Sequence, residues 1–359
     1  MGEEDEQKAS AKAGKRLRLS VVDFNASFAD KQDTKGGVDS ALLDVFKSAR
    51  IDDYTLVNTV FFAGEDASHN AKPPAFFGFG PLGKSSPKDN PFKVHYLDAL
   101  ITGMHKRDRQ VIVGYTLDEG ASPSTPDGLA FNAWLGAAST AQVTAHASQI
   151  VEFFVTTNSL AIDGINFDFE IHGLGNQTAH TANMKTLILE TAKALVAKRP
   201  DASVSYDNTP FVTNDGKDAL SWFMVQPYSI AAGTTNVIAR PMHNLKTHAD
   251  PKVCKQTIDL AMKKGGGGGG IAPANLQIMT RYSAVDTPLL VDLCTKVLMP
   301  EQVGLVLYNM GTNSADTSSL KSFADNVKLI DAALNPAAAA PGKAGAPVQA
   351  PLSKAPSAP

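Results

Sequence analysis

Short apolar runs alternate along this chain with longer stretches in which apolar residues recur at helical spacing. Leu19-Ser20-Val21-Val22-Asp23-Phe24 reads as a strand, and residues 38–49, with Leu42, Leu43, Val45 and Phe46, read as a helix. The pairing repeats. Strands are expected at 54–62, 110–115, 161–170, 202–206, 222–228, 276–280 and 303–308. Helices are expected at 92–106, 141–157, 181–198, 252–264, 289–298 and 320–334. Eight strands with helices between them predict a parallel sheet covered by helices, and eight units in one domain favour a (β/α)8 barrel, an α/β fold. An open doubly wound sheet is the alternative. The 229–250 stretch reads as a polar loop. The 63–91 stretch is too rich in aromatic residues (Phe76, Phe77, Phe79) for a free loop and is expected to pack as a lid or rim.

The domain expectation follows from where the pattern stops. Residues 1–15 and the Ala/Pro-rich residues 335–359 read as disordered tails around a single barrel domain, 16–334. The formal net charge of −3 and pI of about 6.2 give no footprint for nucleic acid. No apolar run is long enough to span a membrane, and the acidic N-terminus has no secretory h-region, which makes the cytoplasm the default compartment and leaves non-classical export open. Cys254 and Cys294 sit in expected helices and read as buried thiols. The run Gly265 to Gly270 has no Lys-Ser/Thr after it and reads as a connector rather than a phosphate cradle. Neither a metal nor an organic cofactor is expected.

The chemistry concentrates in the fourth strand, Ala161-Ile162-Asp163-Gly164-Ile165-Asn166-Phe167-Asp168-Phe169-Glu170. Ile165, Phe167 and Phe169 form one face, and Asn166, Asp168 and Glu170 share the other. In a barrel the second face climbs toward the open C-terminal mouth. Glu170 is uppermost, beside an anion, where a general acid would stand. Asp163 has the opposite parity and reads as a strand-entry hydrogen-bonding residue. Asp118 and Glu119, after the third strand, and Asp207 and Asn208, after the fifth, belong to the same end of the barrel. Trp134 and Trp222 read as core.

Asp163-Gly164-Ile165-Asn166-Phe167-Asp168-Phe169-Glu170 resembles the D-x-x-D-x-D-x-E signature of glycoside hydrolase family 18, and Ile171-His172-Gly173 is similar to its continuation in class III, hevamine-type chitinases. Met224-Val225-Gln226-Pro227-Tyr228 resembles the family's sixth-strand V-Q-x-Y, and Gly304-Leu305-Val306-Leu307-Tyr308 its eighth-strand G-x-M-x-W. The resemblance implies a retaining, substrate-assisted cleavage of N-acetylglucosamine-containing oligosaccharides or polysaccharides, in the manner of a chitinase or an endo-β-N-acetylglucosaminidase. It implies Glu170 as acid and base, Asp168 as the partner of the acetamido N–H, and Tyr228 as donor to the acetamido carbonyl. Gln226, Asn166, Tyr308 and Phe62 would bind substrate. Three positions depart from the family: Asn166 replaces an Asp, Tyr308 replaces a Trp, and the third strand ends Gly114-Tyr115-Thr116-Leu117 instead of S-x-G-G. A non-catalytic barrel on the same scaffold, serving as a lectin, inhibitor or storage protein, is the competing class.

Overall fold

The computed structural model describes residues 16–23, 40–76, 92–116, 126–168, 177–208, 237–243, 251–262, 271–308 and 317–336. Residues 1–15 and 337–359, the glycine run, Phe77 and Phe79 lie outside these residues, while Asn335, expected to begin the C-terminal tail, is buried. In chain order the elements begin with β1 (Leu19–Asp23), α1 (Ser40–Ser48), β2 (Asp53–Phe61), β3 (Ala75–Phe76), α2 (Phe92–His105) and β4 (Gln110–Thr116). Next come α3 (Pro126–Ala137), α4 (Thr140–Val151), β5 (Gly164–Asp168), α5 (Gln177–Lys198), β6 (Ser203–Asn208) and β7 (Val237–His243). The chain then forms α6 (Pro251–Met262), β8 (Gln277–Arg281), α7 (Thr287–Leu293), β9 (Gly304–Tyr308) and α8 (Thr317–Leu334). A wider π turn, Glu152–Thr157, extends α4, and another, Cys294–Leu298, extends α7.

Eight strands pair in parallel in the order β1-β9-β8-β7-β6-β5-β4-β2, and the β1–β2 pairing closes the ring. This is the (β/α)8 barrel that the alternation predicts. The ninth strand, β3, is a two-residue antiparallel addition to the end of β2. From the 63–91 stretch, Phe76 packs its ring 4.8 Å from that of Phe153. Outward-facing apolar residues of the strands (Leu19, Val21, Val113, Ile165, Phe167, Leu305) join the inner faces of the helices in one continuous core.

The barrel differs from the sequence expectation at one place that matters. Its sixth position, between β6 and β8, is filled by Val237–His243 and not by residues 222–228. The 237–243 stretch reads as loop because Arg240 and Pro241 interrupt it. In the barrel, however, Arg240 turns inward, fully buried, to partners that satisfy it.

Two local devices shape the barrel. Ser139 caps α4 by accepting from the Gln142 N–H, and the Gln142 side chain accepts in return from the Ser139 N–H, a reciprocal cap. In β2 the pairing with β4 shifts between Leu56 and Val60, a bulge in which Thr59 Oγ1 donates to Leu56 O. The bulge presses onto Gly114, where an added Cβ would lie 1.7 Å from the Val57 carbonyl oxygen, so only glycine fits. At the N-terminal end the first and last parts of the chain are tied together. Leu17 N–H donates to Asn335 Oδ1 at 2.6 Å, and Arg16 pairs with Asp331 and Asp52.

Candidate active site at the barrel mouth

Strand register decides which side chains face the lumen. Arg240 reaches across the barrel: its Nη1 donates to Thr55 Oγ1 at 2.9 Å and its Nη2 to Asp53 Oδ1 at 3.2 Å, both on β2. Its Nε donates to Gln277 Oε1 on β8 at 3.1 Å. Arg240 therefore points inward. Residues paired directly on neighbouring strands point to the same side of the sheet. Arg240 pairs with Asp207, Asp207 with Asp168, Asp168 with Thr116, and Thr116 with Phe61. These five positions form one rung of the lumen wall. Asp168 ends β5, so its carboxyl stands at the C-terminal mouth, 5 % exposed.

Beneath that rung the lumen is packed with polar groups. Asp53 Oδ2 accepts from Arg18 Nε at 2.6 Å and from Ser20 Oγ at 2.5 Å, while Arg18 Nη2 donates to Gln110 Oε1 at 2.5 Å. Gln277 Nε2 closes the circuit on Ser20 Oγ at 3.2 Å. Burial alone would push the Asp53 carboxyl up, but Arg18 and Arg240 outweigh it and hold the group below the ordinary carboxylate value. Burial likewise pulls the Arg240 guanidinium down, and Asp53 and Asp207 oppose the shift. On another side Val22, Val57, Met279 and Val306 make a small apolar plug, with Tyr308 against it. The lumen is a packed core, and ligands have access only from the mouth.

The structure brings some expected site residues together and separates others. Asn166 lies one rung below Asp168, fully buried, and its Nδ2 donates to Ser205 Oγ at 3.0 Å. Its Oδ1 has no hydrogen-bond partner among the described residues. Tyr308 ends β9 on the inward side, half-buried beside the apolar plug. Phe62 corrects the expectation. It is 3 % exposed and lies on the outer side, its ring 5.2 Å from Phe131 and 5.3 Å from Trp134, so it is packed away from any ligand in the mouth. Its neighbour Phe61 takes the inward position, in register with Thr116.

Glu170, two residues beyond Asp168, lies outside the described residues, as do Gln226 and Tyr228. Because β7 fills the sixth barrel position, Gln226 and Tyr228 are not carried by the barrel's sixth strand. Asp163, expected as a strand-entry residue, accepts from Val111 N–H at 2.8 Å and lies 2.7 Å from His105 Nε2, at the end of the barrel opposite the mouth. Trp134 is core, as its helical setting suggested, and donates its indole N–H to His69 O at 3.0 Å. Among the described residues no cluster of three or more metal-binding side chains occurs, and no helix is long and apolar enough to cross a membrane.

Sequence reasoning missed Arg240 and its partner Asp53. The signal was present as the alternation Ile238, Arg240, Met242, with Val237 and Ala239 on the opposite face.

No protein-family model matches the chain, and no curated protein matches it in sequence. Solved structures match by shape. The chain is similar to a GH5-4 broad-specificity endoglucanase from Clostridium longisporum, at 12% identity and a TM-score of 0.50, over 92% of this chain and 98% of that one. It is also similar to an endo-β-N-acetylglucosaminidase from Cordyceps militaris, at 10% identity and a TM-score of 0.46, over 92% and 96% of the two chains. A third match is the catalytic domain of a chitinase from Pyrococcus furiosus, at 12% identity and a TM-score of 0.45, over 88% and 96%. A D-psicose 3-epimerase and a sugar phosphate isomerase/epimerase are also among the matches, at TM-scores of 0.40 and 0.45. Likeness at this identity establishes the barrel and leaves the chemistry to the site, since one barrel hosts many reactions.

Proposed function

We propose that the chain is a glycoside hydrolase that cleaves β-linked N-acetylglucosamine polymers or glycans by a retaining, substrate-assisted mechanism. One observation carries the reading. Asp168 ends the fourth barrel strand on the lumen wall, and Glu170 follows it two residues later in the sequence. Active sites of this fold are built at the C-terminal ends of strands. In this reading Glu170 protonates the leaving glycosidic oxygen while the substrate's own acetamido oxygen attacks the anomeric carbon. Asp168 accepts the acetamido N–H and stabilises the positive charge of the cyclic intermediate. Glu170 then deprotonates the water that opens it. Tyr308 supplies an aromatic face for the sugar. Gln226 and Tyr228 enter through the sequence resemblance alone, as subsite residue and acetamido donor.

A second reading is a carbohydrate-binding barrel without turnover, in which the same mouth holds an N-acetyl sugar. Asn166 favours it, because its amide is committed to Ser205 and can share no proton with Asp168. Hydrolysis of an N-acetylglucosamine oligomer by wild type and by Glu170→Gln separates the two. The first reading expects Glu170→Gln to be slower by about 10²-fold or more, the range of general acid catalysis. Equal rates would sink it, and oligomer binding without any turnover would establish the second.

A further inference from the structure

The inward charges at the mouth do not all have one sign. Arg281 ends β8. On that strand Gln277 bonds to Ser20 and Arg240 inside the lumen, and Met279 joins the luminal apolar plug. Arg281 shares their parity two residues further on, so it leaves the strand on the inward side at the C-terminal mouth. It is the exposed residue of a strand whose other residues are buried. In register beside it stands Tyr308, the aromatic face given to the sugar in the hydrolase reading.

The strand end that carries Arg281 is fixed. Tyr282 N–H donates to Tyr308 O at 2.8 Å and ties the ends of β8 and β9 together. The Tyr282 ring turns outward, edge-on to Phe323 at 5.0 Å, and its hydroxyl accepts from Asn326 Nδ2 at 3.1 Å. The guanidinium thus works from a rigid base, on a long stem that reaches solvent.

Barrel closure sets the height of Arg281. Followed in register around the ring, Phe61, Thr116, Asp168, Asp207, Arg240 and Gln277 descend toward the N-terminal end: Phe61 is the last residue of β2 and Gln277 the first of β8. Arg281, at the far end of β8, regains the level of Asp168, three strands away around the ring. Among the described residues the mouth is therefore polarised, with a carboxylate on β5 and a guanidinium on β8. A guanidinium presents five N–H donors in a planar fork that matches a carboxylate. A carboxylate takes two of them, so contacts within the chain and a bond to a ligand coexist. Asp168 repels the same ligand group, which holds an acidic sugar in one orientation, its carboxylate toward β8.

We propose that Arg281 is a specificity-determining residue that makes the mouth select a glycan bearing a carboxylate on the sugar beside Tyr308. The proposal deepens the hydrolase reading and rests on it for the site and for the N-acetylglucosamine part of the ligand.

The test is calorimetric binding to the full chain of two acidic oligomers, each compared with the same oligomer after reduction of its carboxylates to alcohols. One alternates N-acetylglucosamine with glucuronic acid and the other N-acetylglucosamine with N-acetylmuramic acid, so the pair that responds tells a ring carboxylate from a lactyl ether. In wild type at least one acidic form binds about 10-fold more tightly than its reduced form, the size of a charge-assisted pair at a partly solvated site. Arg281→Gln brings that ratio to about 1 while keeping its thermal midpoint. Equal affinity for the acidic and reduced forms in wild type overturns the proposal, as does binding of neither, and as does a folded Arg281→Gln with the wild-type ratio. If Arg281→Gln does not fold, Arg281→Lys replaces it. That variant keeps the charge without the fork, so its ratio falls below that of wild type, and an unchanged ratio overturns the proposal. Binding is read without turnover, which separates the two readings. A wild type that shows the Arg281-dependent preference and cleaves nothing ends the hydrolase reading alone. One that cleaves a neutral N-acetylglucosamine oligomer and shows no acidic preference ends this proposal alone.

Discussion

His146 makes the stability of this barrel fall in mild acid. It sits on α4 inside a cage formed by Phe62, Tyr115 and Trp134, 1 % exposed, with its Nε2 2.7 Å from the Tyr115 hydroxyl. Its Nδ1 lies 3.3 Å from Gln149 Oε1. Burial pulls the imidazole down from its ordinary value to about 4, against a smaller opposing effect of Gln149. The unfolded chain restores a value near 6.5. Below that pH the unfolded state binds a proton that the folded state refuses, so stability decreases as pH falls from about 6.5 toward about 4 and levels off below. Integrating the two titrations between pH 7 and pH 5 gives about 2 kcal/mol for this one residue. Other groups titrate as well, so the measurement is a difference. Urea unfolding at pH 7 and pH 5 is compared for wild type and for His146→Gln, which keeps an acceptor for Tyr115 and has no proton to take up. The loss between the two pH values should be smaller in the variant by about 2 kcal/mol, whatever its stability at pH 7. Identical losses in the two proteins would refute the argument, because they would mean that His146 takes up its proton equally in both states.

Two further substitutions probe the frame that holds the mouth. Arg240→Met leaves the buried Asp53 with Arg18 alone and should lower the unfolding free energy by about 3–5 kcal/mol. A loss under about 1 kcal/mol in urea unfolding, near the size of an ordinary surface substitution, would show that the guanidinium is not holding the strands. Gly114→Ala drives a methyl into the Val57 carbonyl, so β2 or β4 must shift. A cost above about 3 kcal/mol is expected, beyond usual overpacking, because backbone has to move. A thermal midpoint equal to wild type would mean that the β2 bulge yields freely.

The sequence shows the barrel because its outer faces obey simple rules. Leu19 and Val21, Val111 and Val113, Ile165 and Phe167, and Leu305 and Leu307 all alternate with inward residues and pack under helices whose own apolar spacing is regular. Asp168 stands out as a carboxylate at the end of a strand whose other residues, 164–167, carry no charge. The inward faces follow a different rule. They hold Asp53, Arg240, Gln277, Ser20 and Thr55, residues that a pattern of hydrophobicity assigns to the surface. What satisfies each of them comes from a strand remote in sequence: Arg240 and Asp53 are 187 positions apart, and Gln277 and Ser20 are 257. No local window contains both partners. Phe62 is a different case: counted from the inward Asp53 and Thr55, alternation along β2 puts Phe61 inside and Phe62 outside, and the bulge keeps that parity.

The missed strand and the polar lumen have one cause. A fully buried arginine is tolerable only where carboxylates and amides already converge on it. Arg240 meets that condition because β7 lies between β6 and β8, where Asp207 pairs with it in register and Gln277 faces it from the next strand. The residue that hides β7 from a hydropathy reading is therefore the one that fixes β7 in the sixth position.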